Sequence, residues 1–157
     1  MKKTWITQGI IAASVLAAST AFAGIQTVTT NTSATYAKTK FPIVFVPGMF
    51  GFTTLGPNAF GMDYWYKVLP NLAANGATVY ATQISPLNST EIRGEQLIAQ
   101  LEEVMAITGA QKLNLIGHSH GGPTSRYAAA FLPNKIASIS TVGGVNKGSK
   151  VSDLVLS

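Results

Sequence analysis

Five residues carry the sharpest chemical signal in this sequence. Gly117-His118-Ser119-His120-Gly121 sets one hydroxyl midway between two glycines. A bend tight enough to need both glycines strains the serine backbone and crowds the flanking positions against each other. Where a strand enters such a bend and a helix leaves it, the hydroxyl stands clear at the carboxyl ends of the strands. That arrangement suits nucleophilic attack on an acyl carbon, with the free N–H groups at the helix start facing the developing anion. Dinucleotide binding does not fit, because G-x-G-x-x-G would need glycine where Ser119 stands.

A tetrahedral oxyanion takes two N–H donors. One comes from the residue after the nucleophile, here His120, and the other from a loop on a neighbouring strand. Pro47-Gly48-Met49-Phe50-Gly51 is the candidate loop. Met49 is the expected donor, since Gly48 before it lets the chain fold sharply. An ordinary strand-end turn would carry the same residues. Phe50, Phe52, Phe60, Tyr64, Trp65 and Tyr66 follow. Most are expected in the core, with an acyl pocket as the alternative. His118 and His120 have no cysteine or acid beside them, so no metal is assigned to the pair.

The elements that must hold these residues are legible in the hydrophobic pattern. Phe41–Val46 reads as a strand ending at Pro47-Gly48. Asp63–Ala74 reads as a helix, with Tyr64, Val68 and Leu72 every fourth residue, closed by Gly76. Thr78–Ile84 is a second strand. Ile92–Thr108 is the clearest helix, with Leu97, Ile98, Leu101, Val104 and Met105 on one face and Gly109 at its end. Leu113–Ile116 is a third strand, residues 121–132 a helix with Pro123 in its first turn, and Ile136–Val142 a fourth strand. Strands alternating with helices imply an α/β fold with about four parallel strands and flanking helices. Residues 24–40, rich in threonine, show no period and read as an extended lead-in.

The chain has 157 residues, which suits one domain. Its hydrophobic share is 46% and its charged share 11%, a balance that excludes a disordered, charge-rich chain. Absence of cysteine excludes disulfides and thiolate metal sites. The net charge of +5 is scattered rather than clustered, so no nucleic-acid partner is expected. Residues 1–23 read as an export signal: Lys2 and Lys3, an apolar run over Ile10–Ala18, and Ala21-Phe22-Ala23 as the cleavage site. The run is short for a membrane span, so no stable span is expected after cleavage. Residues 41–157 are then the folded part, and its final stretch, Asp153–Ser157, reads as an element cut midway.

Phe41-Pro42-Ile43-Val44, Pro47–Phe52, Asp63-Tyr64-Trp65, Glu91–Leu97, Asn114–Pro123 and Lys147-Gly148-Ser149 together resemble the secreted bacterial triacylglycerol lipases that need a dedicated foldase. The likeness runs from about residue 36 to the end and matches the N-terminal half of that family. It implies an α/β-hydrolase fold, incomplete here, that starts at the third strand of the family's sheet. It implies Ser119 as nucleophile, acylglycerol esters as substrate, a foldase chaperone as partner and export through the periplasm. No cofactor is expected in this chain. Calcium belongs to the complete family domain, held by residues of the later half. Two departures stand out. The family's His-Gly before the oxyanion Met is Pro47-Gly48 here, so the loop lacks a histidine to brace it. Gly143-Gly144-Val145-Asn146 stands where the family tends to carry Gly-Ala-Pro-His.

The triad order of such hydrolases is Ser, then Asp or Glu, then His. No histidine follows His120 in this sequence, and Asp153 is the one acid after Ser119. A serine hydroxyl without a base is a poor nucleophile. His118 and His120 flank it on the bend and should point away. The expectation is therefore a truncated secreted lipase whose 157 residues are inactive alone. An exported, non-catalytic ester-binding module is the alternative, as is a subunit completed by a partner chain.

Overall fold

Ile43–Val46 is buried at every position, as a strand covered on both faces must be. It forms the middle of the sheet in the computed structural model, which describes residues 24–55, 62–148 and 150. Residues 1–23, where an export signal is expected, Phe60, Ser149 and Asp153 lie outside the described residues. In chain order the elements are β1 (Gln26–Val28), β2 (Ile43–Val46), β3 (Thr54–Leu55), β4 (Met62–Asp63), α1 (Val68–Ala74), β5 (Val79–Ala81), α2 (Thr90–Thr108), β6 (Leu113–His118), α3 (Gly121–Phe131) and β7 (Ile136–Val142). The main sheet runs β1-β5-β2-β6-β7, and β3 pairs with β4 as a separate ribbon. The four expected parallel strands are β5, β2, β6 and β7.

Alternation along β2 divides the core into two layers. Val44 and Val46 face α2 and α3, packing with Leu97, Leu101, Val104, Leu115 and Ala128. Ile43 and Phe45 face the other way, onto Leu69 and Ala73 of α1. The long helix α2 is bounded as its ends dictate. The Ser89 hydroxyl accepts the Ile92 N–H at the start, and Gly109 turns left-handed at φ 66° and donates to Met105 at the end.

One expectation is refined and one corrected. Within the extended lead-in, β1 pairs antiparallel with β5, and the Thr30 hydroxyl donates to the Ala73 carbonyl at 2.7 Å. Three residues on a sheet edge are too few to show a period, and the sheet, not the local pattern, selects them. The helix expected over Asp63–Ala74 starts only at Val68. Asp63 belongs to β4 and accepts from the Thr54 hydroxyl. Lys67 sits at φ 58°, which no helix interior allows. The spacing of Tyr64, Val68 and Leu72 was therefore not a buried face. Leu69 and Ala73 are buried, Val68 is exposed, and Tyr64 is released for another task.

Candidate active site

The register of β2 against β6 sets the site. Val46 pairs with Gly117, so both chains leave the sheet side by side at the carboxyl ends of their strands. Ser119 follows at φ 51°, a left-handed value that a non-glycine residue takes only where its surroundings enforce it. Its N–H donates to the Val142 carbonyl at 2.9 Å, and its carbonyl accepts the Gly122 N–H at 3.1 Å. A Cβ on Gly117 would lie 2.5 Å from the Gly121 backbone, which is the crowding the motif implied. A Cβ on Gly121 would meet the Val46 carbonyl oxygen at 2.3 Å. The bend is thus pressed onto the neighbouring strand as well as onto itself.

The Pro47–Gly51 loop lies against the serine. A Cβ on Gly48 would sit 2.8 Å from Ser119 Cβ and 3.3 Å from Ser119 Oγ. Gly48 donates to the Tyr64 hydroxyl, Phe50 to the Pro86 carbonyl and Gly51 to the Gly48 carbonyl. Among the described residues none accepts the N–H of Met49 or that of His120. Met49, one residue past Gly48, and His120, one past Ser119, therefore carry N–H groups with no acceptor among the described residues.

Neither histidine is hydrogen-bonded to the Ser119 hydroxyl. His118 Nδ1 lies 2.5 Å from the Tyr64 hydroxyl, and its ring meets Tyr64 at a tilt and Trp65 edge to face. His120 Nε2 lies 2.8 Å from Thr90 Oγ1 at the start of α2. His120 Nδ1 is buried without a partner. Burial pushes its imidazole below the ordinary value of 6.5, the Arg93 charge pushes the same way, and Glu91 opposes both. The aromatic group divides. Phe52, Tyr64 and Trp65 interlock edge to face, with Trp65 against Phe45, while Phe50 and Tyr66 are exposed.

Arg93 went unrecognised in the sequence. It is fully buried on α2 and donates to the Pro47 carbonyl at 2.7 Å, the Gly48 carbonyl at 3.2 Å, the Ser85 carbonyl and the Thr124 hydroxyl. Burial lowers its pKa, opposed by Tyr64, yet a guanidinium stays charged. It braces the 47–51 loop through the Pro47 and Gly48 carbonyls. One signal pointed to it: Arg93 falls in phase with Leu97, Leu101 and Val104 on the apolar stripe, where a solvated charge has no place. No comparable signal marks Tyr64 or Thr90, whose partners lie far along the chain.

Residues 42–156 match the α/β hydrolase fold family. The chain belongs to that family. It is similar to a triacylglycerol lipase of Vibrio cholerae, 55% identical over 120 residues, which cover 76% of this chain and 37% of that enzyme. It is similar also to a triacylglycerol lipase of Burkholderia plantarii, 45% identical over 124 residues, covering 77% and 34%. A Bacillus licheniformis lipase, crystallised in its propeptide form, shares the fold with a TM-score of 0.63 at 27% identity, over 77% of this chain and 25% of that one. The lipase resemblance read from the motifs is thereby borne out. The chain spans little more than a third of the curated relatives it matches.

In an α/β hydrolase the nucleophile stands on a strand-to-helix elbow, and a second strand's loop lends an N–H. Ser119 stands on a strand-to-helix bend of that kind, and the 47–51 loop leaving β2 lies beside it. Among the described residues no group of three or more His, Asp or Glu side chains comes together. No residue here is thus assigned to the calcium implied for the family, and no step runs through it.

Proposed function

We propose that Ser119 is the nucleophile of a carboxylic ester hydrolase acting on acylglycerols. Its Oγ attacks the ester carbonyl carbon, and the N–H groups of Met49 and His120 hold the oxyanion. The alcohol then leaves with a proton, and water releases the acid from the acyl-enzyme. The observation that carries this reading is the packing of Gly48 onto a left-handed Ser119, each followed by an N–H group with no acceptor among the described residues. The names of the relatives support acylglycerols as the substrate class. The charge and cleavage pattern of residues 1–23 supports export, and no described helix is long and apolar enough to cross a membrane. The foldase partner rests on the resemblance alone.

Among the described residues no histidine is hydrogen-bonded to Ser119, since His118 meets Tyr64 and His120 meets Thr90, so the proposed nucleophile has no base there. By themselves these 157 residues are expected to turn over essentially no p-nitrophenyl ester. A p-nitrophenyl alkylphosphonate, with imidazole added as base, should label Ser119 and leave Ser119→Ala untouched. Absence of labelling in the unaltered chain would overturn the nucleophile assignment. Robust Ser119-dependent turnover without imidazole would overturn the missing base. A second reading has another chain supply the base, favoured by the commitment of both rings to Tyr64 and Thr90. It requires turnover only on mixing with that chain.

A further inference from the structure

Gly48 poses a mechanical problem. Side-chain bulk is excluded there by Ser119, so the residue that carries the loop past the nucleophile is also the one with the freest backbone. An oxyanion donor is useful only if it is already aimed. Something must therefore fix φ and ψ of Gly48 from outside.

The two peptide units flanking Gly48 are each held. In the first, Pro47–Gly48, the carbonyl accepts from Arg93 at 2.7 Å and the N–H donates to the Tyr64 hydroxyl at 3.2 Å. In the second, Gly48–Met49, the carbonyl accepts from Arg93 and from the Gly51 N–H, both at 3.2 Å. A trans peptide is planar with its C=O and N–H opposed, so drawing the Gly48 oxygen toward Arg93 turns the Met49 N–H the other way. Arg93 reaches both units on their oxygen sides. Tyr64 alone holds the nitrogen side of the first.

The tyrosine is anchored in turn. A backbone N–H can only donate, so the Tyr64 oxygen accepts from Gly48 and its own proton is free for His118 Nδ1, 2.5 Å away. We take that direction, in which Nδ1 accepts and the imidazole proton sits on Nε2. His118 adjoins Ser119 in sequence. The hydroxyl of Tyr64 therefore ties the loop that presents Met49 to the bend that presents the nucleophile.

From this geometry we infer that Tyr64 is a positioning residue: its hydroxyl locks the Gly48 peptide to His118 and so aims the Met49 N–H at the oxyanion. The inference rests on Ser119 and Met49 acting as proposed above. Tyr64→Phe is the decisive variant, because it keeps the ring among Phe52 and Trp65 and removes one oxygen. Amide exchange at Gly48 should quicken about tenfold, the worth of one hydrogen bond, while Gly51 and β2 stay protected. Nitrogen spectra of the His118 ring should show Nδ1 unprotonated in the unaltered chain and a changed proton distribution in the variant. With imidazole as base, the maximal rate of Ser119 phosphonylation should fall about tenfold at unchanged half-saturation. A loss of general stability would not separate rate from affinity in this way.

Unchanged Gly48 exchange, a proton on His118 Nδ1 in the unaltered chain, or equal labelling rates would each overturn the inference alone. Failure of the unaltered chain to label at all would instead overturn the nucleophile reading, and the oxyanion role with it. Should Tyr64→Phe not fold, His118→Asn and His118→Leu ask the same question with Tyr64 in place. Asparagine keeps an acceptor and should preserve Gly48 protection and the labelling rate; leucine should lose both. Identical behaviour of the two would overturn the anchor.

Discussion

Two loops meet at Ser119, and they are held in different ways. The elbow over residues 117–121 is shaped largely by its own glycines: the clashes that forbid a side chain at 117 involve Gly121 and Gly122, a few residues on, and only Gly121 meets a distant strand, at Val46. The loop over 47–51 is shaped from afar. Its peptides answer to Tyr64, Pro86 and Arg93. Local sterics therefore largely shape the bend that carries Ser119, while distant hydrogen bonds shape the loop that carries Met49. A motif can encode the first; only a folded sheet can assemble the second.

The largest expected effect breaks the elbow. Gly121→Ala drives a Cβ to 2.3 Å from the Val46 carbonyl, a backbone atom of the central strand that cannot step aside. A cost of about 4 kcal/mol is expected, read as a lowered midpoint in urea. Next comes the loop. Arg93→Met keeps the volume but leaves the carbonyls of Pro47, Gly48 and Ser85 without their shared donor, at about 3 kcal/mol. Arg93→Lys should recover less than half of that, because an ammonium cannot fork toward carbonyls on two segments. Full recovery by lysine would mean that the charge, not the geometry, holds the loop.

This difference also explains what could be read in advance. The bend around Ser119, the four strands and the stripe of α2 follow from spacing, since each depends largely on neighbours within a turn or a strand, whereas Met49 could be named only as the residue after Gly48 in a strand-end loop. The failures share one cause. Lys67 takes a left-handed turn between β4 and α1, so the helical spacing of Tyr64 misled. β1 exists because β5 offers it an edge. Arg93 was visible as a charge on an apolar face, but its carbonyl partners lie 45 and 46 residues away and left no trace in the local pattern. The Tyr64–His118 contact, 54 residues apart, is of the same kind.

A smaller effect probes the elbow's tie to α2. His120 has its pKa lowered, by burial first and by the Arg93 charge second. The folded chain therefore binds a proton there less readily than the unfolded chain. Stability should be level above the ordinary value of 6.5 and decline as pH falls through it toward the lowered value. His120→Gln, with no proton to bind, should flatten that part of a plot of urea midpoint against pH. An unchanged slope in the variant would assign the acid sensitivity elsewhere.

The smallest effect compares strain in the two loops directly. Ser119 at φ 51° and Phe50 at φ 55° both occupy the left-handed region, where a side chain costs about 1 kcal/mol. Ser119→Gly relieves that cost but loosens the unfolded chain, so the net gain should lie between zero and about 1 kcal/mol. Ser119→Ala removes the same hydroxyl and relieves nothing; the difference between the two variants isolates the strain from the hydrogen-bonding loss. Phe50→Gly should gain a similar amount, since its ring is exposed and little burial is forfeited. If glycine stabilises at 50 and not at 119, the elbow's conformation is set by its surroundings so completely that the serine itself carries no strain. In that case the two loops differ in where strain resides as well as in what holds them.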